Sequence, residues 1–159
     1  MATAMTIERF LGQRHAPYNL VAHQRTGTSL QSARAAGILP QKVAKAVILK
    51  EDHRYVMVVL PTARRLRLNE LRHKFGCSFD MATEQELRQI FSDCDHGAVP
   101  ALGAAYGIDT IWDDSLRSAA DVYFEAGDHE HLVHLRTRDY LQLMAEGMHG
   151  TFSEPLFLQ

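Results

Sequence analysis

Apolar residues in the first quarter of the chain follow a helical spacing and then an extended one. Phe10 and Leu11 follow Thr6 at helical spacing, which predicts an amphipathic helix. The helix must end before Pro17, because proline pushes the residue preceding it out of helical geometry. Tyr18–His23 then has the pattern of a short strand.

A capped helix and a strand hairpin are predicted next. Thr28 precedes a run of apolar residues at helical spacing and Gly37 follows it, which predicts a helix with both of its end signals. Lys42–Lys50 and Tyr55–Leu60 are rich in small and β-branched residues, and a polar pair separates them. We therefore expect two adjacent strands joined by a tight turn.

The second half of the chain predicts a similar mixture of elements. They are helices at about 68–75 and 83–91, a Gly/Pro loop at 97–103, a strand at 109–112, a hairpin of Asp121–Ala126 with His131–Leu135, and a last helix over Thr137–Ala145. Hairpins combined with longer crossovers imply an α/β fold, with a mixed sheet and helices packed around it. No repeat or linker divides the sequence, so residues 1–159 are expected to form a single domain.

Composition narrows the class of protein. The 159 residues are 46% hydrophobic and contain two cysteines, which excludes a disulfide-stapled miniprotein and a disordered tail. No apolar stretch approaches the ~18 residues that a membrane-spanning helix needs, and the N-terminus has no apolar signal core. We therefore expect a soluble, cytoplasmic protein with no membrane partner. Cys77 and Cys94 have no metal-ligand spacing and receive no role.

Charge is divided unevenly along the chain. Residues 1–75 hold 13 Lys and Arg against 4 Asp and Glu, whereas residues 76–159 hold 4 against 15, within a net charge of −2. This asymmetry is compatible with one face that meets an anionic partner. It is equally compatible with two halves that interleave in space and neutralise each other.

Lys45 is the most informative single residue. Alternate residues of a strand share a face, so Lys45 lies on the same face as Val43, Val47 and Leu49. Its ammonium group is therefore expected among aliphatic side chains. Burying an ammonium group is costly unless it is paired, which indicates a site for an anion. The alternative is an edge strand from which the lysine side chain reaches solvent.

A loop of small residues is a second candidate for chemistry. Two glycines and a proline allow the backbone to approach a ligand closely, and its N–H groups can hold a carbonyl or phosphate oxygen. The alternative is a plain turn. The loop runs Gly97, Ala98, Val99, Pro100, Ala101, Leu102, Gly103.

Four segments in this order resemble the YbaK/prolyl-tRNA-synthetase-associated editing domain family, whose members hydrolyse mischarged aminoacyl-tRNA. The likeness extends from Ile7 to Met144. It implies a single α/β domain with a curved, barrel-like mixed sheet surrounded by helices. The segments are the opening helix and strand ending at His23, Val43–Leu49, Gly97–Gly103, and Val122–Gly127 continuing through Leu132–Leu141.

The resemblance also implies roles for particular residues. Lys45 matches the lysine that contacts the 3′-terminal nucleotide, and with Gly97 and Pro100 it is the expected catalytic set. Ala46 and His23 replace residues found in some members, an asparagine and a tyrosine, and the Gly127–His131 segment also departs from the family pattern. The expected substrate-binding residues are His23, Ala98, Val99, Ala101, Leu102, Gly103, His129 and His131.

The chemistry expected of such a site is simple. An aminoacyl ester is already activated, so hydrolysis needs a placed water, donors for the developing oxyanion and a cation for the neighbouring phosphate. The resemblance therefore calls for no cofactor and no protein nucleophile. It implies mischarged tRNA as the partner, with an aminoacyl-tRNA synthetase as a second candidate partner. The alternative is a module that binds the tRNA end or a nucleotide without hydrolysis.

The histidines allow one further alternative. Asp128, His129 and His131 could be ligands of a metal ion in a metal-dependent hydrolase. This requires that the strand begins early enough for both imidazoles to share a face. No other cluster has matching spacing. We therefore expect ordinary surface or pocket-lining histidines and no metal ligands, with His131 on the inward face beside Val133 and Leu135.

A basic run follows the predicted hairpin. Basic side chains close to a pocket for a nucleic-acid end would meet the phosphates of the acceptor stem, and their contribution to binding would weaken with salt. The alternative is a solvated helix face. The expected tRNA-binding residues are Arg64, Arg65, Arg67, Arg72 and Lys74.

Overall fold

The computed structural model describes residues 3–156 and contains the predicted helices and strands, with ends that differ by at most two residues. It adds four strands of two or three residues. The helices are α1 (Met5–Gln13), α2 (Ser29–Ala36), α3 (Leu68–Phe75), α4 (Glu84–Ile90) and α5 (Thr137–Leu143). The strands are β1 (Asn19–Ala22), β2 (Ala44–Glu51), β3 (Arg54–Pro61), β4 (Arg64–Leu66), β5 (Asp80–Met81), β6 (Asp109–Asp113), β7 (Asp121–Glu125), β8 (His131–Arg136), β9 (Met148–Gly150) and β10 (Ser153–Pro155).

Local signals set the ends of helix α2. The Thr28 side chain accepts a hydrogen bond from the backbone N–H of Gln31 at 3.2 Å, which satisfies one of the free donors of the first turn. At the other end Gly37 adopts the left-handed conformation, with φ of 70°, which glycine enters without the strain of a side chain. These caps confirm the helix predicted from the sequence.

The strands form three hydrogen-bonded sheets. The largest has the order β5-β2-β3-β6-β9, in which β2 pairs antiparallel with β3, and β6 lies parallel to both β3 and β9. An antiparallel sheet of order β1-β8-β7 contains the predicted second hairpin, and β4 pairs with β10. The fold is therefore a mixed α/β arrangement, as predicted.

The expected barrel-like closure is wrong for residues 3–156. One isolated parallel bridge, Val43 to Tyr123, joins the five-stranded sheet to the three-stranded sheet. Beyond that bridge β2 and β7 form no continuous ladder. The outer strands β5 and β9 have two and three residues, too few to extend the pairing around a closed surface.

The two larger sheets share a hydrophobic core. Ala44 and Ile48 of β2 belong to the same buried cluster as Phe124 of β7 and Val133 of β8. A second cluster, which includes Leu49, lies on the opposite side of β2. Within residues 3–156, no helix has the length and apolar character needed to cross a membrane.

Ion pairs connect the basic and acidic halves of the chain. Arg25 lies 3.2 Å from Asp95, Lys50 lies 2.8 Å from Glu86, and a third pair joins β4 to β10. Each of the three sheets contains strands from both halves of the chain, so opposite charges meet at several points. These contacts fit two halves of the chain that interleave in space. They do not fit a simple division into one basic face and one acidic face.

Candidate functional site

One face of the three-stranded sheet points away from the core that the two larger sheets share. This face carries Glu125, a polar residue that the sequence did not single out. Val122 and Phe124 of β7 pack into that core, so strand alternation places Tyr123 and Glu125 on the opposite face. Helix α2 lies against this face, because Ser32 donates a hydrogen bond to the Glu125 carboxylate. We call this side of the sheet the α2-covered face.

Lys45 lies on β2, the strand that a single bridge joins to β7. It lies two residues after Val43, just as Glu125 lies two residues after Tyr123, and Val43 and Tyr123 are bridged. Lys45 is half-buried, and no ion pair or hydrogen bond of its side chain is present among residues 3–156. Burial lowers the pKa of its ammonium group. A partly desolvated cation without a counter-ion is suited to hold an anion.

Glu125 is the most buried carboxylate of this region, with 2% of its surface exposed. Ser32 donates to Oε1, and the Thr26 hydroxyl lies 2.6 Å from the Ser32 oxygen, while Oε2 has no partner. Burial raises the pKa of the carboxyl, and the hydrogen bond from Ser32 opposes that shift. Positive charge on His129 or His23 also lowers this pKa, so both rings are electrostatic neighbours of Glu125.

His129 occupies the turn between β7 and β8 in a left-handed conformation, with φ of 59°. Its Nε2 donates to the His96 carbonyl at 2.6 Å, and its buried Nδ1 has no partner. Gly97 lies beside it: a Cβ at that position would be 3.6 Å from the imidazole. Gly97 has φ of 83° and is exposed, so the Gly/Pro loop opens to solvent next to His129.

His23 follows β1 and is fixed by its own backbone. Its Nδ1 donates to the Gln24 carbonyl at 2.6 Å, and its Nε2 is buried without a partner. The backbone N–H of His23 donates to the Glu130 carbonyl at 2.9 Å, which ties this segment to the β7–β8 turn. The structure therefore brings together His23, His129, Gly97 and the unpredicted Glu125.

His131 has a different environment from His129. Its Nδ1 lies 2.7 Å from the Asp128 carboxylate, which also accepts the backbone N–H groups of Glu130 and His131 at 2.9 Å. His131 begins β8, whereas His129 lies in the preceding turn, so the two imidazoles do not share a strand face. Within residues 3–156, no group of three His, Cys, Asp or Glu side chains is arranged to hold a metal ion.

Most side chains of the Gly/Pro loop pack into the protein. The Tyr140 hydroxyl donates to the Ala101 carbonyl from α5, and a Cβ on Gly103 would lie 2.5 Å from Thr110 Oγ1. Only Gly97 and the half-buried Val99 have solvent-facing surface between residues 97 and 103. The predicted substrate contacts of this loop stay predictions, and the buried members are Ala98, Pro100, Ala101, Leu102 and Gly103.

Each residue of the predicted basic run has a partner within the protein. Three of these contacts reach β10 or the residue Thr151 before it, one lies within the first turn of α3, and one reaches the segment before β5. The proposed contact with tRNA stays a prediction. Arg64 donates to Ser153, Arg65 lies 2.6 Å from Glu154, Arg67 lies 2.8 Å from Glu70, Arg72 donates to the Phe79 carbonyl, and Lys74 donates to the Thr151 carbonyl.

A cavity of about 670 Å³ lies elsewhere in the molecule. Val56, Phe79 and Ile111 are among its lining residues, together with the chain between α5 and β9. None of the residues predicted as site residues lines it. The cavity and the α2-covered face are therefore separate features.

Comparison with known proteins supplies the family. The model of the aminoacyl-tRNA editing domain matches residues 23–143, a stretch that begins at His23 and contains Lys45, the Gly/Pro loop and the β7–β8 turn. The chain belongs to the aminoacyl-tRNA editing domain family. No curated protein matches it.

Solved structures share the fold. One, described as a candidate trans-editing enzyme for prolyl tRNA synthetase, is 20% identical with a TM-score of 0.81 over 95% of this chain and 96% of its own. A hypothetical protein has 21% identity and a TM-score of 0.82 over 94% and 99%. A candidate signal transduction protein from Marinobacter aquaeolei VT8 has 18% identity and a TM-score of 0.77 over 93% of this chain but 30% of its own.

Sequence reasoning missed Glu125 and its supports, Ser32 and Thr26. A signal was present, because Glu125 ends a strand with apolar residues on both sides, much as Lys45 interrupts its own. Ser32 and Thr26 gave no such signal. They join the site through the packing of α2 on the sheet, which a linear pattern does not show.

Proposed function

We propose that this editing domain hydrolyses the ester of mischarged aminoacyl-tRNA as a freestanding trans-editing deacylase. The observation that carries the proposal is Lys45: a half-buried ammonium with no counter-ion in the described structure, inside the stretch matched by the family. The 3′ end of tRNA supplies the anion that such a cation lacks.

The reaction itself places few demands on the protein. A water oxygen attacks the ester carbonyl, the bond from that carbon to the ribose oxygen breaks, and a proton moves from the water to the departing oxygen. Free amino acid and tRNA are the products. In this proposal Lys45 holds the terminal phosphate, and the exposed backbone at Gly97 supplies an N–H donor for the carbonyl oxygen.

The residue next to Gly97 also supports a substrate site here. The Gly97 backbone borders the Cε1 and Nε2 atoms of the His129 ring, and the buried Nδ1 of that ring has no partner among the described residues. A neutral imidazole nitrogen accepts a hydrogen bond from a polar group of the substrate. His129 therefore offers the substrate one lone-pair acceptor near the Gly/Pro loop.

The test is a panel of mischarged tRNAs with the wild-type protein and a Lys45→Ala variant. We expect one or more esters to be hydrolysed, and the variant to lose about tenfold to a hundredfold in kcat/KM, since a charged hydrogen bond is lost. Lys50→Ala is the matched control on the same strand, because Lys50 already pairs with Glu86. Full activity in Lys45→Ala would contradict the proposal, and salt-dependent tRNA binding without hydrolysis would favour the non-catalytic alternative.

A further inference from the structure

Three buried polar atoms at the α2-covered face have no hydrogen-bond partner among residues 3–156. They are Glu125 Oε2, His23 Nε2 and His129 Nδ1, and we call these three residues the acceptor cluster. Glu125 and His129 are 2% and 5% exposed. Buried polar atoms in proteins are nearly always paired, so three unpaired atoms in neighbouring residues indicate a missing ligand.

The partners of these residues define the chemistry that is missing. His23 Nδ1 and His129 Nε2 each face a backbone carbonyl, which can only accept, so both of these nitrogens carry the proton. In a neutral ring of this tautomer the other nitrogen is a lone-pair acceptor. Glu125 Oε2 is also an acceptor when the carboxyl is ionised. With that carboxyl ionised, the cluster offers three acceptors and one negative charge.

The acceptor cluster lies beside the parts of the site assigned to the ester. His129 borders the exposed backbone of Gly97. Glu125 occupies the register position on β7 that Lys45 occupies on β2, counted from the bridge between Val43 and Tyr123. A tRNA end held by Lys45 would bring its aminoacyl group to the region between these elements.

We propose that the acceptor cluster binds the α-ammonium group of the aminoacyl ester and restricts the site to substrates with a free amino group. An ammonium group has three N–H donors and a positive charge, which match the two ring nitrogens and the carboxylate. An N-acylated ester has one amide N–H and no charge there, so it leaves buried acceptors unpaired. The inference deepens the proposed function and rests on it for the identity of the ester.

The kinetic test uses the tRNA ester that the wild-type protein hydrolyses fastest and the same ester after N-acetylation. We expect kcat/KM to be at least about tenfold higher for the free amine. Glu125→Gln keeps an oxygen that accepts from Ser32 but removes the charge. We expect it to lose that preference because it slows the free ester more than the acetylated one.

Two controls separate this role from a structural one. Glu51→Gln changes another glutamate with a buried unpaired oxygen, six residues from Lys45 at the far end of β2, and should keep the wild-type preference. Ser32→Ala removes the hydrogen bond to Glu125 but keeps the carboxylate, so it should retain a preference for the free amine. Loss of preference in Glu51→Gln, or equal loss in Ser32→Ala and Glu125→Gln, would overturn the proposal.

A binding measurement separates the inference from the proposed function. Calorimetry compares adenosine carrying a non-hydrolysable 3′-aminoacylamide with the same compound after N-acetylation. A preference for the free amine that Glu125→Gln abolishes supports the inference even if no ester is hydrolysed, in which case the deacylase proposal fails alone. Equal binding of the two compounds, or binding of neither, overturns the inference.

Discussion

At the scale of single residues, the candidate site combines a cation and a carboxylate that are both poorly solvated. Burial lowers the pKa of Lys45 and raises that of Glu125, so each charged form is disfavoured in the free protein. Neither group forms an ion pair with a described residue. Such an arrangement costs stability and is typical of residues kept for a ligand.

Glu125→Gln should reveal this cost through its pH dependence. The folded-state pKa of Glu125 lies above its ordinary 4.5, so the wild-type protein loses stability as pH rises from about that value through the raised pKa. Glutamine has no charge to bury, so the free energy of unfolding of the variant minus that of wild type should increase over this range. Urea denaturation at pH 5 and pH 8 measures the difference.

Other charges act on the same carboxyl and enter that comparison. Positive charge on His129 and His23 lowers the pKa of Glu125, whereas Asp128 raises it. The control is the double variant Glu125→Gln/His129→Gln, compared with Glu125→Gln alone. This second substitution removes an imidazole while the carboxyl is already absent. A stability difference between wild type and Glu125→Gln that does not change with pH would contradict a raised pKa.

At the scale of elements, short helices and turns hold the site from outside the sheets. Helix α2 carries Ser32 to Glu125, and α5 carries Tyr140 to the carbonyl of Ala101 in the Gly/Pro loop. Tyr140 is fully buried, and burial raises the pKa of its hydroxyl. The loop is therefore held from behind by α5 while Gly97 remains exposed.

Tyr140→Phe should loosen this support without removing the ring from the core. We expect a loss of about 1 kcal/mol in the free energy of unfolding, because the buried Ala101 carbonyl loses its donor. Amide hydrogen exchange in residues 101–103 should become faster. Tyr18→Phe, at an exposed tyrosine, is the control. Unchanged exchange in the loop would show that the hydroxyl contributes nothing to its anchoring.

At the scale of the whole molecule, the charge asymmetry of the sequence is largely cancelled in space. Arg65 and Arg67 share the Glu154 carboxylate, at 2.6 and 4.0 Å, yet keep 62% and 52% of their side-chain surface exposed. Exposed ion pairs contribute little to stability, so these arginines can exchange a protein carboxylate for a phosphate. The proposed tRNA contact and the observed ion pairs are therefore compatible.

An Arg65→Ala/Arg67→Ala double variant tests the proposed contact with the acceptor stem. Each lost phosphate contact should reduce the slope of log affinity against log salt by about 0.7–0.9. Fluorescence anisotropy with labelled tRNA over a salt series measures the slope. Arg117→Ala, which removes an exposed arginine beside Asp114, is the control. An unchanged slope in the double variant would contradict the proposed tRNA contact. The basic run would then serve only to anchor β10.

Sequence pattern predicted the long elements well and the short ones poorly. Helix α2 carries its caps within its own residues, and β2 and β3 have enough β-branched residues to be identified. Strands of two or three residues such as β5 and β9 have no periodicity of their own. They exist because an edge of the large sheet is available to pair with them.

The sequence by itself determined the order of helices and strands, the position of Lys45 within an apolar strand and the glycine at position 97, because each follows from local residue chemistry. The tertiary structure decided which residues meet. It brought Glu125, Ser32 and His23 to one face, separated His129 from His131, and gave the basic run internal partners. These outcomes depend on how helices pack on sheets and how distant strands pair, and neither is set by any single stretch of chain.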